Sequence, residues 1–273
     1  MTADPAALPT AARAEAGELR ALAERLARAA GALQREKYET SIEIRTKSAS
    51  IDLVTEVDHA CEMLIVAGLH EARPGDAILA EEGRGEDRDD ARWRWIIDPI
   101  DGTTNYAHGY PRFCVSIGVE HEGERAVGVV YDPLLDEMFS AVRGEGASLN
   151  GRKMRVSRET EIGNALVATG FAYDVRRSAQ DNINHFIAFV KHARAIRRDG
   201  SAALDLCYVA AGRFDIYWEL KLHPWDVAAG LLMVDEAGGR TSDLSGGPPQ
   251  RSGFECVASN GPLHDQVLAI LRS

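Results

Sequence analysis

The sequence predicts an α/β fold, and three observations carry that reading. A helical period opens the chain, short strands joined by tight turns fill its middle, and strands alternate with helices thereafter. At 273 residues, 45% hydrophobic and 27% charged, the chain has a globular composition and the length to bury a full core, as one large domain or two smaller ones. Lys and Arg number 31 against 42 Asp and Glu, a net charge of -11. That balance argues against a general nucleic-acid binder, since no excess of cations exists to neutralise phosphates. Cys61, Cys114, Cys207 and Cys256 form no Cys-x-x-Cys pair and sit among apolar or small residues, a pattern of buried free thiols in a reducing cytoplasm. The opening MTADPAALP lacks the positive charge and apolar core of a signal peptide, and no window nears about 18 apolar residues, so no membrane partner is expected.

Taken in order, residues 1–10 read as a loose tail punctuated by Pro5 and Pro9. From Thr10 onward Leu19, Leu22, Leu26, Ala30 and Leu33 recur at three and four, a one-faced packing helix with no chemistry of its own. Ile42 and Ile44 alternate weakly before Lys47, which by default is a solvated lysine in a Ser-rich loop. Asp58 stands where it caps a helix running to about Ala72. Ala77 to Ala80 is a short strand ending in Glu81, Glu82 and Gly83. Gly85 to Asp90 is a charged loop. Phe113 to Glu120, Ala126 to Tyr131 and Glu137 to Val142 make an antiparallel meander, and Asn150-Gly151 turns a further hairpin. In the second half Asn164 to Thr169 is a strand. Ser178 to Ala193 is a helix with Ile183, Phe186, Ile187 and Val190 on its core side, and Ser201 caps a helix ended by Gly212. Phe214 to Leu220 alternates, placing Asp215, Tyr217 and Glu219 on the polar face. Asp226 opens a helix closed by Gly238 and Gly239, and as a first-turn acid it suits the helix dipole.

The chemistry gathers on WIIDPIDGTTN, Trp95 to Asn105. An apolar strand ends there in two carboxylates, Asp98 and Asp101, and open α/β sheets hold ligands at the carboxyl ends of strands. Pro99 keeps Asp98 out of the helical region, and Gly102 lets the backbone come close to a ligand. Together with Glu81 and Asp226 these are acids at the ends or starts of separate elements. If they converge they repel, and a shared site then needs cations. Hard oxygen ligands suit Mg or Mn and not zinc, and paired divalent ions are a recurring device for phosphate-ester hydrolysis. The residues Tyr106 to Pro111 read as a simple return into the sheet.

With AEEG upstream and PWDVAAG downstream, WIIDPIDGTTN resembles the inositol monophosphatase family of metal-dependent, lithium-sensitive phosphatases, from about Leu19 to the C-terminus. The resemblance implies a single domain with a layered αβαβα sandwich and a homodimer. It implies Glu81, Asp98 and the Ile100 carbonyl on one Mg ion, Asp98, Asp101 and Asp226 on a second, and a weaker third near Glu81. Thr103, held by Asp58, and Glu81 are the implied orienting groups for water attacking phosphorus in line. Gly102 and Thr103 match phosphate-binding amides, Lys47 a loop lysine near the site, Glu219 an acid holding substrate hydroxyls, and Ala202 the neighbouring wall. The implied substrate is inositol monophosphate, with histidinol phosphate as rival and a regulatory binding protein of the same fold as the alternative of another class.

Overall fold

The computed structural model describes residues 8–49, 51–88 and 90–272. Most of the expected 1–10 tail lies outside them, but Leu8 is packed into the core and the Pro9 carbonyl accepts from Arg13 N-H at 2.8 Å, so order begins earlier than the prolines suggest. Leu19, Leu22, Ala23, Ala27 and Ala30 then share the buried side of α1 (Thr10–Lys37). Two short strands, β1 (Ile44–Thr46) and β2 (Leu53–Thr55), pair antiparallel and lead into α2 (Glu56–Ala72).

The first sheet has seven strands in the order β3-β4-β5-β6-β7-β8-β9. They are β3 (Ala77–Ala80), β4 (Trp93–Asp101), β5 (Cys114–His121), β6 (Glu124–Asp132), β7 (Glu137–Val142), β8 (Gly146–Leu149) and β9 (Arg152–Lys153). Only β3 and β4 run parallel, and the meander that follows is antiparallel as its turns require. Asn150 (φ 48°) and Gly151 (φ 76°) both take the left-handed conformation that a two-residue hairpin turn needs. Between β4 and β5 lies α3 (Thr103–Ala107), a short helix where the sequence suggested only a return into the sheet. Tyr106 is buried there, its hydroxyl donating to Gln34 O of α1 at 2.8 Å.

The second sheet runs β11-β10-β12-β14-β13, built from β10 (Leu166–Thr169), β11 (Ala195–Arg197), β12 (Ile216–Leu220), β13 (Arg240–Ser242) and β14 (Glu255–Ser259). Its helices are α4 (Ile183–His192), α5 (Ala202–Ala210), α6 (Pro224–Glu236) and α7 (His264–Leu271). Three apolar clusters fill the gaps between layers. One joins α1 and α2 to the seven-stranded sheet, one sets α5 and α6 between the two sheets, and one joins the second sheet to α4 and α7. The result is the five-layer αβαβα sandwich.

Two expectations about faces change. Ile183, Ile187 and Val190 are exposed at 43%, 46% and 57%, and α4 instead buries Phe189, stacked 4.0 Å from Trp218. The helix is shorter than Ser178 to Ala193, and its period did not reveal which side meets the sheet. Tyr217 is fully buried rather than on a polar face, because β12 is the central strand of its sheet and is covered on both sides. All four cysteines are buried and unpaired.

Candidate functional site

Several elements end at one cavity. The end of β3 brings Glu81, the end of β4 brings Asp98, Ile100, Asp101 and Gly102, and α3 brings Thr103; Ala202, Glu219 and Asp226 arrive from the starts of α5 and α6 and from β12. Of the residues predicted for the site, Lys47 and Asp58 do not line this cavity, but each touches one that does.

The bend after β4 is built locally. Asp98 Oδ1 accepts from Ile100 N-H at 3.0 Å across Pro99, the strand register shifts between Asp98 and Asp101, and Gln34 Nε2 donates to Pro99 O at 2.7 Å. Gly102 sits at φ 100°, and a Cβ there would lie 2.8 Å from Arg112 O, so only glycine fits. Asp101 is gripped by the start of α5: Ser201 Oγ donates to Oδ2 at 2.7 Å, Ala203 N-H to Oδ2 at 2.6 Å and Ala202 N-H to Oδ1 at 3.3 Å. Ser201 thus makes no side-chain cap on its own helix, contrary to the sequence expectation, because its hydroxyl is drawn off to Asp101.

Asp58 divides its carboxylate. Oδ2 accepts from Thr55 N-H at 2.8 Å and Thr55 Oγ1 at 2.6 Å in a capping box, so Thr55 is the N-cap of α2 and Asp58 its third residue. Oδ1 accepts from Thr103 Oγ1 at 2.9 Å, and the same hydroxyl lies 3.0 Å from Ile100 O. Asp226, the third residue of α6, accepts from His223 N-H at 2.6 Å, so its role in starting the helix coexists with its place in the cavity. Lys47 is not a free solvated lysine. It donates to Glu81 Oε1 at 2.8 Å and also to Glu82. Burial pulls its pKa down, but the two carboxylates outweigh that and hold it raised.

The acids are unfavourable as they stand. Burial, then the charges of Glu81, Asp101 and Asp226, push Asp98 well above the ordinary carboxylate range. Burial and the Asp101 charge do the same to Asp226, while burial raises Glu81 to about 7 against the opposing pull of Lys47. Asp101 is raised by burial in spite of its three donors. Among the described residues no three Asp, Glu, His or Cys side chains already form a metal cage. The donor set nevertheless fits a hard divalent cation: oxygen ligands only, mutual repulsion that a cation offsets, and first contacts supplied by the protein that fix each carboxylate.

Glu219 is raised to about 7 by burial, and Tyr217 Oη donates to its Oε2 at 2.7 Å. A Cβ at Gly170 would overlap the Glu219 carboxylate, so the bare backbone of Gly170 makes its berth. Gly170, Ser201 and Gln34 are the positioning residues that sequence reasoning missed. Gly170 did carry a signal as a glycine closing an apolar strand, whereas Ser201 and Gln34 act across 100 and 65 residues and carried none.

A five-layer sandwich with an acid-lined cavity at the strand ends fits a hydrolase that works with hard divalent cations, and the family match makes it a phosphatase, a phosphoric monoester hydrolase. The chain belongs to the inositol monophosphatase family, whose profile matches residues 15–273. It is 47% identical over 260 residues to the Nus factor SuhB of Pseudomonas aeruginosa, covering 92% of this chain and 94% of that one. It is 42% identical over 225 residues to the inositol-1-monophosphatase of Synechocystis, covering 82% and 78%. The solved inositol monophosphatase of Anabaena superposes with a TM-score of 0.85 at 39% identity, over 94% of this chain and 96% of the other. The family is generally metal-dependent. Among the described residues no helix is long and apolar enough to cross a membrane.

Proposed function

We propose that this phosphatase hydrolyses phosphate monoesters of polyols, myo-inositol 1-phosphate first, with Glu81, Asp98, Ile100 O, Asp101 and Asp226 holding two to three magnesium ions, for which manganese can substitute. Bound there, the cations lower the pKa of water and offset charge on the departing oxygen. The remaining work falls to the chain. Thr103 Oγ1 has one hydrogen, directed at Asp58 Oδ1 and Ile100 O, which leaves its lone pairs to accept from a water and fix the line of attack on phosphorus. Glu81 lines the same cavity and shares with Thr103 the orienting of that water. Gly102 and Thr103 line the cavity and offer the amides for the phosphate, and Ala202 lines the same cavity beside Asp101.

The observation that carries the polyol reading is Glu219, a half-buried carboxylate in the cavity with Gly170 bare beside it. A carboxylate at that point accepts hydrogen bonds from leaving-group hydroxyls, and it equally suits the amine of histidinol phosphate. Phosphate release from myo-inositol 1-phosphate, histidinol phosphate, fructose 1,6-bisphosphate and phosphoadenosine phosphate at fixed Mg tests it. A preference for a bisphosphate or a nucleotide over both polyol esters refutes the reading. The same reading takes the chain as one domain, lithium-inhibited, cytoplasmic and homodimeric, and light scattering on the purified protein checks the last. A second reading is favoured by the name Nus factor that the Pseudomonas aeruginosa relative carries. It gives the fold an additional regulatory role through a macromolecular partner. Partners captured from lysate that are unchanged by Asp98→Asn support that role, and partners lost with catalysis refute its independence.

A further inference from the structure

Glu62 is fully buried on α2, one helical turn after Asp58 and outside the lining of the catalytic cavity. Both of its oxygens are engaged by backbone. Oε2 accepts from Glu82 N-H at 2.7 Å and Oε1 from Arg84 N-H at 3.0 Å. These amides belong to the turn that follows β3, which Gly83 closes at φ 82° by donating its N-H to Ala80 O at 3.1 Å. Glu82 is half-buried and Gly83 and Arg84 are exposed, and a turn at the surface ordinarily leaves such amides to water. Burying a carboxylate to receive them costs free energy that forming the turn does not require.

What the contact fixes is Glu81. Its own N-H donates to Ile97 O of β4 at 3.1 Å, and the next amide along the chain is the one that Glu62 holds. The peptide planes on both sides of the Glu81 Cα are therefore pinned, one to β4 and one to α2, and with them the direction in which its side chain enters the cavity. Lys47 reaches the tip of that carboxylate, whereas Glu62 sets the backbone from which it hangs.

We propose that Glu62 is a positioning residue for Glu81, so that a single helix face aligns two parts of the site: Asp58 acts through the Thr103 hydroxyl, and Glu62 acts through the Glu82 amide. The inference rests on the reading of Glu81 as a cation ligand. Partners that orient a ligand in this way govern metal affinity by about 10- to 100-fold.

The experiment measures manganese binding by calorimetry, and urea unfolding, in wild type, Glu62→Gln and Glu62→Leu. Asp132 supplies the control: it is a buried carboxylate that likewise receives two turn amides, those of Leu134 and Leu135, but outside the cavity lining. Glu62→Gln keeps the shape and one acceptor while turning an NH2 group toward the other amide, and manganese affinity falls about tenfold. Glu62→Leu loses both acceptors and falls further; if it does not fold, Glu62→Gln decides. Asp132→Asn lowers the urea midpoint and leaves manganese affinity at the wild-type value. A folded Glu62→Gln with wild-type manganese affinity reduces Glu62 to a plain turn cap and overturns the inference, as does an equal loss of affinity in Asp132→Asn. A wild type that binds no manganese overturns instead the reading of Glu81 as a ligand, and the inference with it.

Discussion

Gly170→Ala adds one methyl group and probes Glu219 without touching it. The new Cβ would overlap both carboxylate oxygens, so Glu219 must retreat by at least about 1 Å to reach ordinary contact distance. Residue 170 shows no left-handed backbone, and alanine is tolerated there on conformational grounds. A retreat of that size breaks a hydrogen bond between substrate hydroxyl and carboxylate, a loss of about 1.5–3 kcal/mol, or about 10- to 150-fold in kcat/KM. Because the contact is made to bound substrate as well as to the transition state, the loss falls on KM. Steady-state phosphate release separates the effect with two esters, myo-inositol 1-phosphate and ethyl phosphate, whose leaving group has no second hydroxyl. Wild-type kcat/KM on the inositol ester, or an equal loss on both esters, refutes the role given to Glu219.

Thr103→Val keeps shape and removes the hydroxyl that Asp58 and Ile100 O orient, and a fall in kcat of about 100-fold is expected for a lost positioned group. The same variant leaves Asp58 Oδ1 without its donor and costs about 1–3 kcal/mol in denaturant unfolding. His264 is fully buried between Ser242 Oγ and Ser259 Oγ at 2.9 Å each, and burial depresses its pKa from 6.5 to about 4. The unfolded chain therefore binds a proton first as pH falls, and about 3 kcal/mol of stability present above pH 6.5 is lost by about pH 4. His264→Gln removes that slope in pH-dependent urea unfolding; an unchanged slope contradicts the assignment. Glu219 has the opposite sign. Raised to about 7 from 4.5, it makes the metal-free protein less stable as pH climbs between those values, and Glu219→Gln flattens that decline.

Much of the scaffold was legible where one pattern has one physical solution. The bounds of β3 and β7 follow from short apolar runs between turn residues, and Asn150-Gly151 has little choice but a tight hairpin. The face of α4 was not legible, since the period of Ile183, Phe186, Ile187 and Val190 defines an apolar side but not the neighbour it meets, and Phe189 won the contact with Trp218. At the site, the local pattern of Asp58 is satisfied by a helix start alone. Its second oxygen acts on Thr103, 45 residues away, and only the packed fold reveals that. Asp101 was found by its own strand end, while the Ser201 hydroxyl that steadies it looked like an ordinary cap because both uses demand the same residue type.

In the proposed function the buried carboxylates hold cations for phosphoryl transfer. Asp98, 2% exposed and opposed by the charges of Glu81, Asp101 and Asp226, is the place to test it. Asp98→Asn removes one charge with little change in shape. Phosphate release from myo-inositol 1-phosphate is measured across a magnesium titration for wild type and variant, with circular dichroism confirming the fold. Magnesium-dependent turnover in the wild type and background release in a folded variant are expected; near wild-type turnover by Asp98→Asn would contradict that role for the carboxylates.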